Sequence, residues 1–180
     1  MGEATSELIL YACPTGELAD QIEMYFQNSL KICGANAAHR YMPHCTLTGF
    51  FKDEEGAIAH YQQAVEQALA QSPPPPSPVI TVTQMNFRED WHGLELRSAW
   101  LKQFVPRFAD LAESPTRKEA LRLKSWLHLS LAYDFSPDHA STLMQLATQS
   151  IQPQSMVTWE LRFYQRHPQS TWTCHYTWNL

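Results

Sequence analysis

His44-Cys45-Thr46-Leu47 and His128-Leu129-Ser130-Leu131 decide how this chain is read. Each string sets a histidine two residues before a hydroxyl, inside an apolar run that reads as a β-strand. Residues i and i+2 of a strand share a face, so each histidine stands beside its hydroxyl while the leucine directly after the hydroxyl turns the other way. Two imidazoles that titrate near neutrality can take a proton from an attacking oxygen and give another to a departing one. Two hydroxyls can hold the non-bridging oxygens of a phosphodiester between them. One such string also fits a buried strand whose histidine satisfies a neighbouring carbonyl, so the weight rests on the pair.

Working outward, both strings fall at equivalent points of a repeat. Residues 7–13 read as a buried strand ended by Pro14, with Thr15 capping a helix to about Cys33. The first motif strand spans roughly His44 to Phe51, and Asp53 caps a helix with Ile58, Tyr61, Val65 and Ala68 at helical spacing. Ser72 to Pro78, with four consecutive prolines, is a stiff extended connector. Val79–Phe87 and Leu94–Ala99 form a hairpin about the Arg88–Gly93 turn. A helix carrying Leu101, Phe104, Val105, Phe108 and Leu111 follows, which Pro106 should kink or split. The second motif strand, about His128 to Phe135, leads to Ser136-Pro137 as cap and first turn of a helix to Ile151. Val157–Arg166 and Thr171–Leu180 close the chain as another hairpin. Helix, motif strand, capped helix and hairpin thus occur twice, which predicts a single α+β domain over residues 1–180 with two similar lobes, roughly 6–90 and 91–180. The motif strands meet at the centre of the cleft between them.

Composition narrows the chemistry. A chain of 180 residues with 44% apolar content and 12% aromatics can bury a proper core. Its formal charge of −5 disfavours a grip on long duplex nucleic acid through many phosphate contacts, while a small nucleotide or an RNA end stays compatible. No apolar run reaches membrane-helix length, and Met1 to Glu7 lacks the order of a signal peptide, so a cytoplasmic protein without membrane contact is expected, as a monomer. Cys13, Cys33, Cys45 and Cys174 lack CxxC spacing and read as reduced thiols, mostly buried. Neither motif places two His, Cys, Asp or Glu ligands on one strand face, so no metal and no other cofactor is expected.

With its HxTL and HxSL strings each in the strand before a capped helix, the chain resembles the 2H phosphoesterase superfamily over essentially its whole length. Pro43-His44-Cys45-Thr46-Leu47-Thr48-Gly49 and His128-Leu129-Ser130-Leu131-Ala132-Tyr133 look most like the cyclic phosphodiesterase and RNA 2′,5′-ligase-like branch. The resemblance implies a bilobal α+β fold, with antiparallel sheets flanked by helices around a central cleft. It implies metal-independent hydrolysis of a cyclic phosphate, of the 2′,3′-cyclic nucleotide or ADP-ribose 1″,2″-cyclic phosphate type. His44 and His128 would be the catalytic base and acid, in an order the residues leave open, with Thr46 and Ser130 as phosphate ligands. The alternatives are an RNA 2′,5′-ligase-like or RNA 3′-end processing enzyme, and a non-catalytic nucleotide-binding module.

Strand parity supplies secondary candidates. Lys124 and Trp126 share the His128 face if that strand starts early, and Met42 and Phe50 share the His44 face, so all four could line the cleft. Trp126 or Phe50 could stack on a base. Tyr133 has the opposite parity and is expected to pack inward. Arg117, Lys118, Arg122 and Lys124 gather positive charge before the second motif, with Lys124 the best placed to steer an anion. His39, His60, His92, His139, His167 and His175 carry no spacing signal, and most are expected at the surface.

Overall fold

The computed structural model describes residues 5–180. Its strands are β1 (Thr5–Thr15), β2 (Cys45–Thr46), β3 (Phe51–Glu54), β4 (Thr81–Phe87), β5 (Trp91–Arg97), β6 (His128–Tyr133), β7 (Thr158–Arg166) and β8 (Trp172–Asn179). Its α-helices are α1 (Glu17–Cys33), α2 (Ile58–Gln71), α3 (Ala99–Leu111) and α4 (Ala140–Ser150). The strands form one antiparallel sheet in the order β4-β5-β6-β2-β1-β7-β8, with β3 also on β1. This is an α+β fold in which the two expected sheets are continuous. They join where Cys45 of β2 faces Leu129 of β6, so the two motif strands meet at the centre.

The lobes do not coincide with residues 6–90 and 91–180. The β4-β5 hairpin, which closes the first repeat and straddles residue 90, pairs with β6, and the β7-β8 hairpin, which closes the second repeat, pairs with β1, so the repeats exchange hairpins across the centre. A repeat fixes the order of elements but not which copy a hairpin edge joins.

β1 explains the layering. Leu8, Leu10 and Ala12 face the helices and enter the main core, while Ile9, Tyr11 and Cys13 face the other way and pack with Tyr164, Met42, Phe50 and Trp172. Being covered on both faces, the strand reads as a continuous apolar run. The helix side is filled by Leu18, Ile22 and Tyr25 of α1, Tyr61 and Val65 of α2, Phe104 and Phe108 of α3, and Leu143 and Ala147 of α4.

Local expectations fail where side chains find better partners. Pro14 lies inside β1, paired with Trp159 of β7 but beyond the β2 pairing at Tyr11 and Ala12, where its missing N–H breaks no ladder. Thr15 is not a cap: its hydroxyl bonds Thr158, and Gly16, at φ 83°, precedes α1 instead. Asp53 caps nothing either. It is buried, and its carboxylate accepts from Tyr61 Oη and Thr116 Oγ1, both at 2.6 Å. Ser136 makes no side-chain cap bond, although Pro137 does open a short helical turn before α4. α3 runs through Pro106 as one helix, because Pro106 is on the exposed face while Leu101, Phe104, Val105 and Phe108 bind both turns to the core. Among the six remaining histidines, His92 is buried and the others half-buried; His39 closes a capping box with Asn36. Cys13 and Cys45 are buried, Cys33 is half-buried and Cys174 is exposed, all as free thiols. Among the described residues no helix is long and apolar enough to cross a membrane.

Candidate active site

The first motif strand is shorter than its apolar run. β2 stops at Thr46, because the next residues bond sideways: Leu47 N–H donates to the Leu10 carbonyl at 3.1 Å, and the Thr48 hydroxyl accepts from Leu10 N–H at 3.2 Å. Gly49 N–H donates to the Arg122 carbonyl at 2.7 Å, and Lys124 N–H to the Leu47 carbonyl at 3.0 Å. The motif is thereby pinned between β1 and the segment leading into β6. Cys45 and Leu47 are fully buried on the helix side, which leaves His44 and Thr46 on the open side. β6 repeats the pattern, with Leu129 and Leu131 buried and His128 and Ser130 on the open side.

All four motif residues line one cleft of about 390 Å³, together with Phe26, Ala38, Tyr41, Met42, Asp90, Trp91, Tyr133 and Asp134. The two imidazoles are held alike. His44 Nδ1 bonds the Met42 carbonyl at 2.7 Å, and His128 Nδ1 bonds the Trp126 carbonyl at 3.1 Å. A carbonyl only accepts, so each Nδ1 carries the proton. Each Nε2, without a partner among the described residues, is left with a lone pair.

Their surroundings differ. The His44 ring lies on Tyr11 with centroids 4.0 Å apart, and Tyr41 stands at 5.5 Å. Burial pushes its pKa down to about 4, against the Met42 carbonyl, which favours the charged form; the nearby His128 lowers it further. His128 stacks on Trp126 at 3.8 Å and meets Trp91 edge-on at 5.4 Å. Its pKa is also lowered, first by burial, against the Trp126 carbonyl, with Lys124 and Arg88 lowering it and Glu95 raising it.

The secondary candidates divide. Met42 lines the cleft as expected, but Phe50 does not: with β2 ended at Thr46 its parity lapses, and it packs on Trp172 beneath the Arg166 guanidinium, 3.8 Å away. Lys124 is exposed and outside the cleft, acting on His128 only through its charge. Trp126 backs His128 instead of lining the cleft. Arg117 is structural, bonding Tyr61 Oη and the Ala112 carbonyl, and Arg122 bonds the Phe50 carbonyl. Tyr133, expected to pack inward, faces the cleft. The β5–β6 register passes from His92–Ala132 to Gly93–Ser130, so a bulge at Leu131 shifts the alternation by one and turns Tyr133 outward.

Sequence reasoning missed Trp91, which lay in an assumed turn, and Tyr11, which lay in an apolar run read only as core. The available signal for Trp91 was the glycine two residues on, a bare position beside a large ring. Among the described residues no three His, Cys, Asp or Glu side chains gather as metal ligands would.

The chain shares its fold with E. coli LigT in its apo form, at a TM-score of 0.54 covering 98% of each chain with 14% identity. It is 30% identical over 165 residues to the Ecdysteroid-phosphate phosphatase of Bombyx mori, covering 90% of this chain and 25% of that protein. It is 35% identical over 147 residues to the Ubiquitin-associated and SH3 domain-containing protein B of Homo sapiens, covering 78% of this chain and 22% of that one. The chain therefore spans about a quarter of the length of the curated relatives it matches. No family model matches it.

Proposed function

From a chain that has the 2H phosphoesterase fold and carries both HxT/S motifs in one cleft, we infer a phosphodiesterase that opens cyclic phosphates by two-histidine acid–base catalysis. The observation that carries this reading is the matched pair of imidazoles. Both are fixed through Nδ1 to the carbonyl two residues back, and both keep Nε2 free in a cleft that also holds the Thr46 and Ser130 hydroxyls.

Hydrolysis then balances simply. One Nε2 takes a proton from water as its oxygen attacks phosphorus, the bond from phosphorus to one ribose oxygen breaks, and the other imidazolium gives that oxygen its proton. The products are a phosphomonoester and a free hydroxyl, and one proton exchange between the histidines restores the site. Thr46 and Ser130 donate to the non-bridging oxygens as charge gathers there. We assign the base to His44, the more enclosed ring, and the acid to His128, whose stacking on Trp126 favours a cation.

Asp90 and Asp134 are the charged residues beside the histidines in the lining, which favours a singly charged diester with hydroxyls to offer over a polyanionic strand. The Bombyx mori relative is named for phosphoester chemistry, in keeping with the reaction class, but its steroid phosphate is not carried over to a chain a quarter its length. The test is turnover of 2′,3′-cyclic nucleotides with and without chelator, the products identified by phosphorus NMR. Absence of turnover with retained nucleotide binding would favour a binding module. A preference for a cyclic-ended oligonucleotide over the mononucleotide would favour RNA-end work.

A further inference from the structure

Thr46 and Ser130 hold equivalent places in the two motifs, yet they need different support. A β-branched threonine is stiff about χ1, whereas a serine hydroxyl swings freely unless something holds it. Thr46 Oγ1 has no hydrogen-bond partner among the described residues. Ser130 Oγ has one: Trp91 Nε1–H donates to it at 2.9 Å.

The direction of that bond matters. An indole N–H only donates, so it occupies a lone pair of Ser130 Oγ and leaves the hydroxyl's own proton to be given elsewhere. No acceptor for that proton stands among the described residues, and the hydroxyl lines the cleft. A hydroxyl held as a donor suits a ligand atom that only accepts, such as an anionic phosphoryl oxygen, and penalises one that must donate.

The indole reaches Ser130 because position 93 is bare. Gly93 faces Ser130 across β5 and β6, and a Cβ there would lie 2.2 Å from Trp91 Cζ2 and 2.4 Å from the Leu129 carbonyl oxygen. Trp91 thus lies over its own strand's glycine to touch the neighbouring strand. The same ring meets His128 edge-on and packs 5.0 Å from Trp126, which fixes its plane.

We propose that Trp91, laid across Gly93, is the positioning residue of the second motif, fixing the Ser130 hydroxyl as a donor to the substrate's phosphoryl oxygen. This rests on the reading that Ser130 holds the phosphate. Trp91 makes no bond to the reacting atoms; it acts through Ser130.

A double-mutant cycle tests it, with kcat/KM for a 2′,3′-cyclic nucleotide measured for the parent, Trp91→Phe, Ser130→Ala and the double variant. Trp91→Phe keeps an aromatic ring beside His128 and deletes the donor, and should lower kcat/KM roughly three- to tenfold. Ser130→Ala should lower it roughly ten- to a hundredfold, and the double variant should be no worse than Ser130→Ala alone, since the tryptophan has nothing left to orient. A purely structural Trp91 would impose its factor again in the Ser130→Ala background; that result overturns the proposal and leaves Ser130 as a phosphate ligand. An undiminished rate in folded Ser130→Ala overturns the phosphate-ligand reading itself. If Trp91→Phe folds poorly, 3-benzothienylalanine at position 91 keeps the bicyclic shape and removes the N–H, and the same cycle applies.

Discussion

The two motifs are alike in backbone and unlike in surroundings. On the first side a stiff threonine accompanies an imidazole pressed on Tyr11 and desolvated to a pKa of about 4. On the second, a freely rotating serine is tied by an indole, and an imidazole stacked on Trp126 feels charges from Lys124, Arg88 and Glu95. A repeated strand geometry places the groups; the non-repeated neighbours give each a separate task. The comparison therefore breaks if the halves prove interchangeable.

The largest effects come from the imidazoles. His44→Ala and His128→Ala should each lower turnover of a cyclic nucleotide by about 10² to 10⁴ without unfolding, and the double variant should lose less than the product of the two. Replacing the ribose leaving oxygen by p-nitrophenolate separates the roles, because a good leaving group needs no proton. The His128→Ala deficit should then shrink while the His44→Ala deficit persists. Equal deficits would remove the assignment of base and acid.

The hydroxyls come next. A hydrogen bond to a charged group is worth about 1.5 to 3 kcal/mol, so Thr46→Val and Ser130→Ala should each reduce kcat/KM roughly ten- to a hundredfold, equally for adenosine, guanosine, cytidine and uridine cyclic phosphates. A loss confined to one base would move these hydroxyls from phosphate to base recognition.

The pH profile follows in size. The competent state has one imidazole neutral and the other charged, so it gains as pH rises through the lower pKa, near 4 for His44, and declines as pH rises through that of His128, itself below its ordinary 6.5. kcat/KM should therefore peak on the acid side of neutrality. The same shifts act on stability. A histidine whose folded pKa is depressed binds fewer protons when folded, so stability falls as pH drops below about 6.5 towards 4. In His44→Ala, melting temperature should depend less on pH across that window than in the parent.

What was legible in the sequence was whatever strict alternation governs. His44 and Thr46 against Cys45 and Leu47, and His128 and Ser130 against Leu129 and Leu131, required only the period of a strand. Element order was legible for the same reason. What alternation could not carry was any place where a side chain replaced a backbone partner or one residue was inserted. The Thr48 hydroxyl takes the Leu10 N–H and ends β2, which removes Phe50 from the cleft. The bulge at Leu131 brings Tyr133 into it. The exchange of hairpins depends on edge pairing between distant strands, to which no local pattern is sensitive. Trp91 was missed because its importance lies in an absent side chain two residues away and a hydroxyl on the next strand.

The smallest expected effect tests whether the second half is tuned by its charges. Lys124 lowers the His128 pKa from an exposed position and Glu95 raises it from a half-buried one. Lys124→Ala removes a repulsion towards the imidazolium, so the descending limb of the kcat/KM profile should move to higher pH and the rate at neutral pH should rise, by less than about threefold for so exposed a charge. Glu95→Gln removes an attraction and should move the same limb the other way. Both displacements should fade in high salt, where a screening length of about 3 Å at 1 M separates these charges from the ring. The ascending limb, set by desolvation of His44, should stay in place in both variants. If it moves with the descending limb, the two histidines titrate as one coupled unit and the separation between the halves is lost.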